Sequence, residues 1–240
     1  MLDPNDPTVT SRLLEVEDGL TARLQEEIPF LEVDKETDLL CSSIAWALDR
    51  VQDVKSVANL FGVDIPLAAP RGDLFQTSFA TTIKNRVAMP KAWLARTGPA
   101  ALTRLYVVGH EVQHVLQDDR GVKAGKWPKL LTHSVLYLAG VVAHTPDGEE
   151  YVGKVEGDAY AVSANQRRFF SGSPGEIEGY LASIRLSYNL LDLGPAMAED
   201  VLKSHFATMH GGLCPNVTAA RISQEYLYKH AGDLRGRVAL

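Results

Sequence analysis

Cysteine is scarce in this chain. There are two in 240 residues, Cys41 and Cys214, and neither stands in a CxxC or CxxH spacing. A disulfide framework is not indicated, and two buried thiols are expected. Basic charge is also short: Lys and Arg number 24 against 30 Asp and Glu, a net charge of −6. Without a basic excess to neutralise phosphates, a nucleic-acid partner is not expected. Long hydrophobic runs are lacking too. The longest, Leu130 to Ala143, is broken by Thr132, His133 and Ser134. It is too short to span a bilayer and reads as a buried helix, so no membrane partner is expected. The first residues, Met1 to Pro7, are acidic and turn-rich, with no basic n-region or apolar h-region. The expectation is a soluble, cytoplasmic protein, with leaderless export left open.

What is present is an ordinary globular composition, 45% hydrophobic and 22% charged, long enough to bury a core without staples. Within it stands Val107-Val108-Gly109-His110-Glu111-Val112-Gln113-His114-Val115-Leu116-Gln117. Residues four apart share a helix face. His110 and His114 can therefore offer two imidazole nitrogens to one metal ion, with Glu111 turned toward the same cleft as a base. This is the His-Glu-x-x-His pattern of a zinc hydrolase helix. Leu105, Val108, Val112 and Val115 form an apolar stripe facing away from the histidine pair. Gly109, just before the first ligand, is either a point of close approach or an ordinary tolerated glycine.

The rest of the chain reads as mostly helical. Residues 1–10 read as a flexible arm, and Leu13, Val16, Leu20 and Leu24 mark a helix from Ser11 to Glu27. Leu40, Ile44, Leu48, Val51 and Val54 mark another from Glu36 to Phe61, with Trp46 expected in the core. Gly62 to Pro66 is a candidate short strand. Phe75 to Pro90 reads as two short strands around a Lys84-Asn85-Arg86 turn. The metal helix starts at Thr97-Gly98-Pro99 and runs to about Leu116. Further helices are expected over 126–145, 150–170, 175–191, 195–209 and 218–231. The expected fold is α+β, mainly helical, with a small sheet beside the metal helix. A single domain over 11–240 would comprise N-terminal helices (11–70), a metal-site core (75–170) and C-terminal helices (171–240).

A catalytic zinc usually has three protein ligands and an open position. The best third candidate is Glu156. Val152, Val155, Ala159 and Val162 form the buried face of its helix, and Glu156 borders that face. A carboxylate there is costly unless paired or metal-bound. Gly157, Ala159 and Ala161 would let this helix pack close to the metal helix. The rivals are Asp158, Glu149, Glu150, His133 and His144.

Together these motifs resemble the gluzincin group of zinc metallopeptidases, in which a later helix supplies a glutamate ligand. The chain resembles most the metallopeptidase-like domains of bacterial polymorphic-toxin proteins, over roughly residues 75–170. The matching residues are Thr82 to Met89, then His110, Glu111, His114, Val115 and Gln117, then Glu156 and Ala159. Tyr160 stands where that pattern has an aspartate that orients a zinc-bound histidine. The resemblance implies a zincin-like fold with Zn²⁺ on His110, His114 and Glu156, Glu111 as general base, and a peptide or protein substrate. Tyr160, His205 and His210 are the candidate donors to the oxyanion. The alternative is a catalytically inactive zincin-fold binding or regulatory module. Oligomeric state and cleavage specificity have no counterpart in the sequence.

Overall fold

The computed structural model describes residues 1–60, 72–121, 145–188 and 193–239. The expected strand at Gly62 to Pro66 and, apart from its last residue, the expected helix over 126–145, with His133 and His144, lie outside them. The protein is mainly helical with one small sheet. Helix α1 spans Pro7–Glu27 and strand β1 Leu31–Asp34, followed by α2, Leu39–Leu60, and α3, Gly72–Ser78. Strands β2, Thr81–Ile83, and β3, Arg86–Met89, precede α4, Gly98–Gly121. Helices α5 to α8 then span Pro146–Ser171, Ile177–Tyr188, Leu193–His210 and Thr218–His230.

The first ten residues are not a loose arm. Asp6 caps α1, its carboxylate accepting from the Thr8 and Val9 amides, and Pro7 takes the first turn, where its missing N–H leaves nothing unbonded. Ahead of it, Leu2 bridges Val238 in parallel. Both chain ends are thereby tied to one core, which contains the expected α1 stripe of Leu13, Val16, Leu20 and Leu24.

The sheet order is β1-β3-β2, with β1 parallel and β2 antiparallel to β3. Side chains alternate across a strand, and β3 uses both faces. Val87 and Met89 join the main core with α1 and α4, while Ala88 joins Cys41, Ala45 and Phe75 on the other side. The turn between β2 and β3 falls at Lys84-Asn85 as expected, with Lys84 left-handed at φ 56°. Residues 75–78, however, belong to α3 rather than to a strand. The Asp49 carboxylate of α2 accepts from the Gly72 amide at 2.8 Å and satisfies a donor at its start. Trp46 is not in the core: it is 64% exposed, because the small residues Cys41 and Ala45 form the face of α2 that meets the sheet. Cys41 and Cys214 are both free thiols.

Helix α4 lies against the sheet and α1 through Leu105, Val108, Val112 and Val115, all buried. Arg104 locks this arrangement, reaching Glu17 of α1 at 2.6 Å and Glu32 of β1 at 3.1 Å. Helix α5 is sheathed on several sides. Val152, Val155, Ala159 and Val162 are buried as expected. Of the small residues expected to face α4, Ala159 does so through its backbone contact with His110, while Gly157 and Ala161 serve other neighbours. Gly153 and Gly157 pack against α7, where an added Cβ would fall 2.1 Å from the Gly194 carbonyl oxygen and 2.8 Å from Val201. Ala161 clusters with Ala219 and Ala220 of α8. Close approach to α4 is instead served from the α4 side, by Gly109. A Cβ there would stand 2.8 Å from both Val162 Cγ1 and Gln166 Nε2.

Candidate metal centre

Two helices meet at the candidate site. His110 and His114 come from α4, and Glu156 comes from α5. All three are buried, at 7%, 7% and 0% exposure. His110 Nε2 and His114 Nε2 are 3.2 Å apart. Glu156 Oε2 lies 3.6 Å from the first and Oε1 lies 3.4 Å from the second. For ligands roughly 2.0–2.1 Å from a tetrahedral ion, the ligand-to-ligand edge is roughly 3.3–3.4 Å. These separations are close to the edges of a zinc coordination tetrahedron, with a different carboxylate oxygen of Glu156 nearest each imidazole. Among the described residues this is the one group of three potential ligands that converges in this way.

The protonation pattern follows from the neighbours. Gln117 Nε2 donates to the Val155 carbonyl at 3.0 Å, and a carbonyl can only accept. The amide is thereby oriented with Oε1 toward His114 Nδ1, 2.8 Å away. His114 must then carry its proton on Nδ1, and Nε2 presents a lone pair to the centre. His110 is steadied by the Ala159 backbone and by the Tyr160 ring, edge-on at 4.6 Å between centroids. Burial works to lower the His110 pKa, but the adjoining Glu156 carboxylate and the charge of Glu111 override it, and the net shift is upward. A cation between these atoms, which stand 3.2–3.6 Å apart, would satisfy the imidazole lone pairs and the buried carboxylate together. The donor set, two imidazoles and a carboxylate, suits zinc.

Glu111 is 5% exposed and is held from the sheet. Thr82 Oγ1 of β2 lies 2.8 Å from Glu111 Oε2 and 3.0 Å from the Glu111 carbonyl oxygen. Behind β2 sits Lys35, fully buried. Its Nζ donates to the Phe79 carbonyl and to Thr81 Oγ1 and lies 3.8 Å over the Phe75 ring. Burial pulls its pKa down to about 8, against an opposing pull from Glu111. Gln113, just before the second histidine of the motif, accepts from the Ala219 amide at 3.4 Å and so serves the start of α8 from across the core.

Three other expected residues fall differently. Tyr160 borders the centre, but its hydroxyl is directed to Ser183, and burial raises its pKa. His205 pairs with Asp158 at 2.9 Å. Asp158 lies two positions past Glu156, about 200° around α5, so this pair faces away from the candidate centre. His210 is exposed near the end of α7, against Phe206. Neither histidine joins the site. Of the rival ligands, Asp158 is thus committed to His205, and Glu149 accepts from the Gly194 amide at 3.4 Å. Gln117, Thr82 and Lys35 are the polar residues around the site whose roles the sequence does not announce.

Comparison of the chain with protein-family models, with curated proteins and with solved structures found no match. Among the described residues, no helix is long and apolar enough to cross a membrane.

Proposed function

We propose that the protein is a zinc-dependent metallopeptidase. The observation that carries this reading is the convergence of His110, His114 and Glu156, whose nearest ligand atoms lie 3.2, 3.4 and 3.6 Å apart, beside a glutamate held by hydrogen bonding. A zinc ion there would act as a Lewis acid and lower the pKa of a water toward ~7. Glu111 would be the residue placed to accept a proton from the attacking water and return it to the leaving amine. Thr82 keeps the Glu111 carboxylate oriented by donating to Oε2. His114 is kept in the Nε2-ligating tautomer by Gln117. Strand β2 is the edge of the sheet nearest this base, and an extended peptide can add to such an edge through main-chain hydrogen bonds.

A structural zinc site has no use for a base. The buried, hydrogen-bonded Glu111 therefore favours catalysis over an inactive zincin-fold binding or regulatory module. The test is zinc content together with cleavage of a broad peptide library, wild type against Glu111→Ala. The expected result is one zinc per chain in both proteins and cleavage by the wild type alone. Stoichiometric zinc with no cleavage by either protein would overturn the peptidase reading and favour the binding module.

A further inference from the structure

A second site lies at the far end of α5, twelve residues and roughly 18 Å along the helix from Glu156. There α5, the end of α7, α8 and the turn that follows α8 line a half-open cavity of about 510 Å³. That is within the size range of small-molecule pockets. Two guanidinium groups line it, Arg168 and Arg235, and its lining contains no carboxylate. This is a local excess of positive charge in a chain of net charge −6.

Neither arginine is neutralised within the described residues. Arg168 donates to the Met209 carbonyl, to Asn165 Oδ1 at 3.0 Å and to Gln224 Oε1 at 3.4 Å. These partners are all uncharged, and they occupy three of the five N–H donors of a guanidinium. Arg235 stacks on the Tyr228 ring, its Cζ 4.4 Å from the centroid. Stacking uses the face of a guanidinium and leaves its N–H edge available for a two-point contact with an oxyanion. Phe169 lies beside the Tyr228 ring, 5.4 Å away between centroids and tilted by 55°. Four glycines are part of the lining, Gly172, Gly212, Gly232 and Gly236. A Cβ added at Gly172, Gly212 or Gly236 would meet no heavy atom within 4 Å.

We propose that this cavity binds a small organic anion, a phosphate or carboxylate joined to a flat ring. Arg168 and Arg235 take the anionic group, and the ring lies against Tyr228. The volume is several times what a bare oxyanion fills, and the aromatic pair supplies an apolar wall for the remainder. This assignment does not rest on the metallopeptidase reading, since none of its residues belongs to the metal centre.

Calorimetric titration with phenyl phosphate, inorganic phosphate and benzyl alcohol tests it, on zinc-loaded protein and on protein stripped of metal and dialysed. The expected result is one phenyl phosphate per chain, with a Kd on the order of 0.1–1 mM and equal affinity with and without zinc. Inorganic phosphate and benzyl alcohol should each bind at least about tenfold more weakly. Arg235→Gln and Tyr228→Leu should each weaken phenyl phosphate about tenfold. Both positions are exposed, so the variants should keep the wild-type Tm, which is measured alongside. No saturation by about 10 mM, equal affinity for inorganic phosphate, dependence on zinc, or wild-type affinity in both variants would each overturn the proposal.

Discussion

Gln117 Oε1 stands 2.8 Å from His114 Nδ1, while the same amide donates to the carbonyl of Val155, the residue before Glu156. One side chain thus orients a histidine of α4 and ties it to the helix that bears the carboxylate. Outer partners of this kind hold ligand rings in position and typically contribute 10–100-fold to metal affinity. Gln117→Leu should therefore weaken zinc binding by about that factor without unfolding the protein. Competition against a chromophoric chelator measures it. An unchanged affinity would show that His110 and Glu156 fix the site by themselves.

Thr82 makes the corresponding contact to the base. Thr82→Val keeps the β-branched shape that suits β2 and removes the hydroxyl that reaches Glu111 Oε2 at 2.8 Å. Zinc content should be unchanged. On any peptide the wild type cleaves, kcat should fall about tenfold to a hundredfold, a positioning loss smaller than that of Glu111→Gln. A fall in zinc content equal to the fall in rate would mean that Thr82 supports the fold of the site rather than the carboxylate.

The parts of this architecture that were legible in the sequence are those set by helical period. The i, i+4 spacing alone places His110 and His114 on one face, and the stripe from Leu105 to Val115 opposite them is buried as its spacing predicts. Glu156 was legible because a carboxylate bordering a buried stripe needs a partner. Gln117, Thr82 and Lys35 were not, because each acts on a partner brought near only by tertiary packing. Strand β1 was missed for a similar reason: four residues carry little pattern, and its ladder is with Arg86 to Met89, far along the chain. At Phe75–Ser78, strand-like composition lost to a tertiary contact at the start of α3, the amide of Gly72 bonded by Asp49.

Packing around α5 gives a paired prediction about stability. Alanine at Gly153 would place a methyl 2.1 Å from the Gly194 carbonyl oxygen, a backbone atom that cannot rotate away. Helices α5 and α7 would have to separate, and overpacking of this kind costs about 1–3 kcal/mol or more. Alanine at Gly179, exposed in α6 with no heavy atom within 4 Å, should instead gain up to about 1 kcal/mol from helix propensity. Chemical denaturation of the two variants separates these effects. Equal changes in both would mean that α5 and α7 are not in close contact.

Lys35 gives the stability a pH dependence whose sign can be worked out. Burial lowers its folded-state pKa from 10.5 to about 8. Between those values the unfolded chain binds the proton and the folded chain does not, so stability rises with pH. The slope is at most about 1.4 kcal/mol per pH unit, and the total at most about 3 kcal/mol. Two thiols oppose it. Burial raises Cys41 and Cys214 from 9.0 to about 11, so the unfolded chain loses those protons first and stability falls above pH 9. One amine gains from pH 8 and two thiols lose from pH 9, which places the alkaline stability maximum near pH 9. In Lys35→Met the rise from pH 8 to 9 should vanish, while the fall above pH 9 stays. Denaturant unfolding of both proteins at pH 7, 8, 9 and 10 reads this directly. A stability difference between them that does not change with pH would show that Lys35 stays charged in the folded protein, held by Glu111.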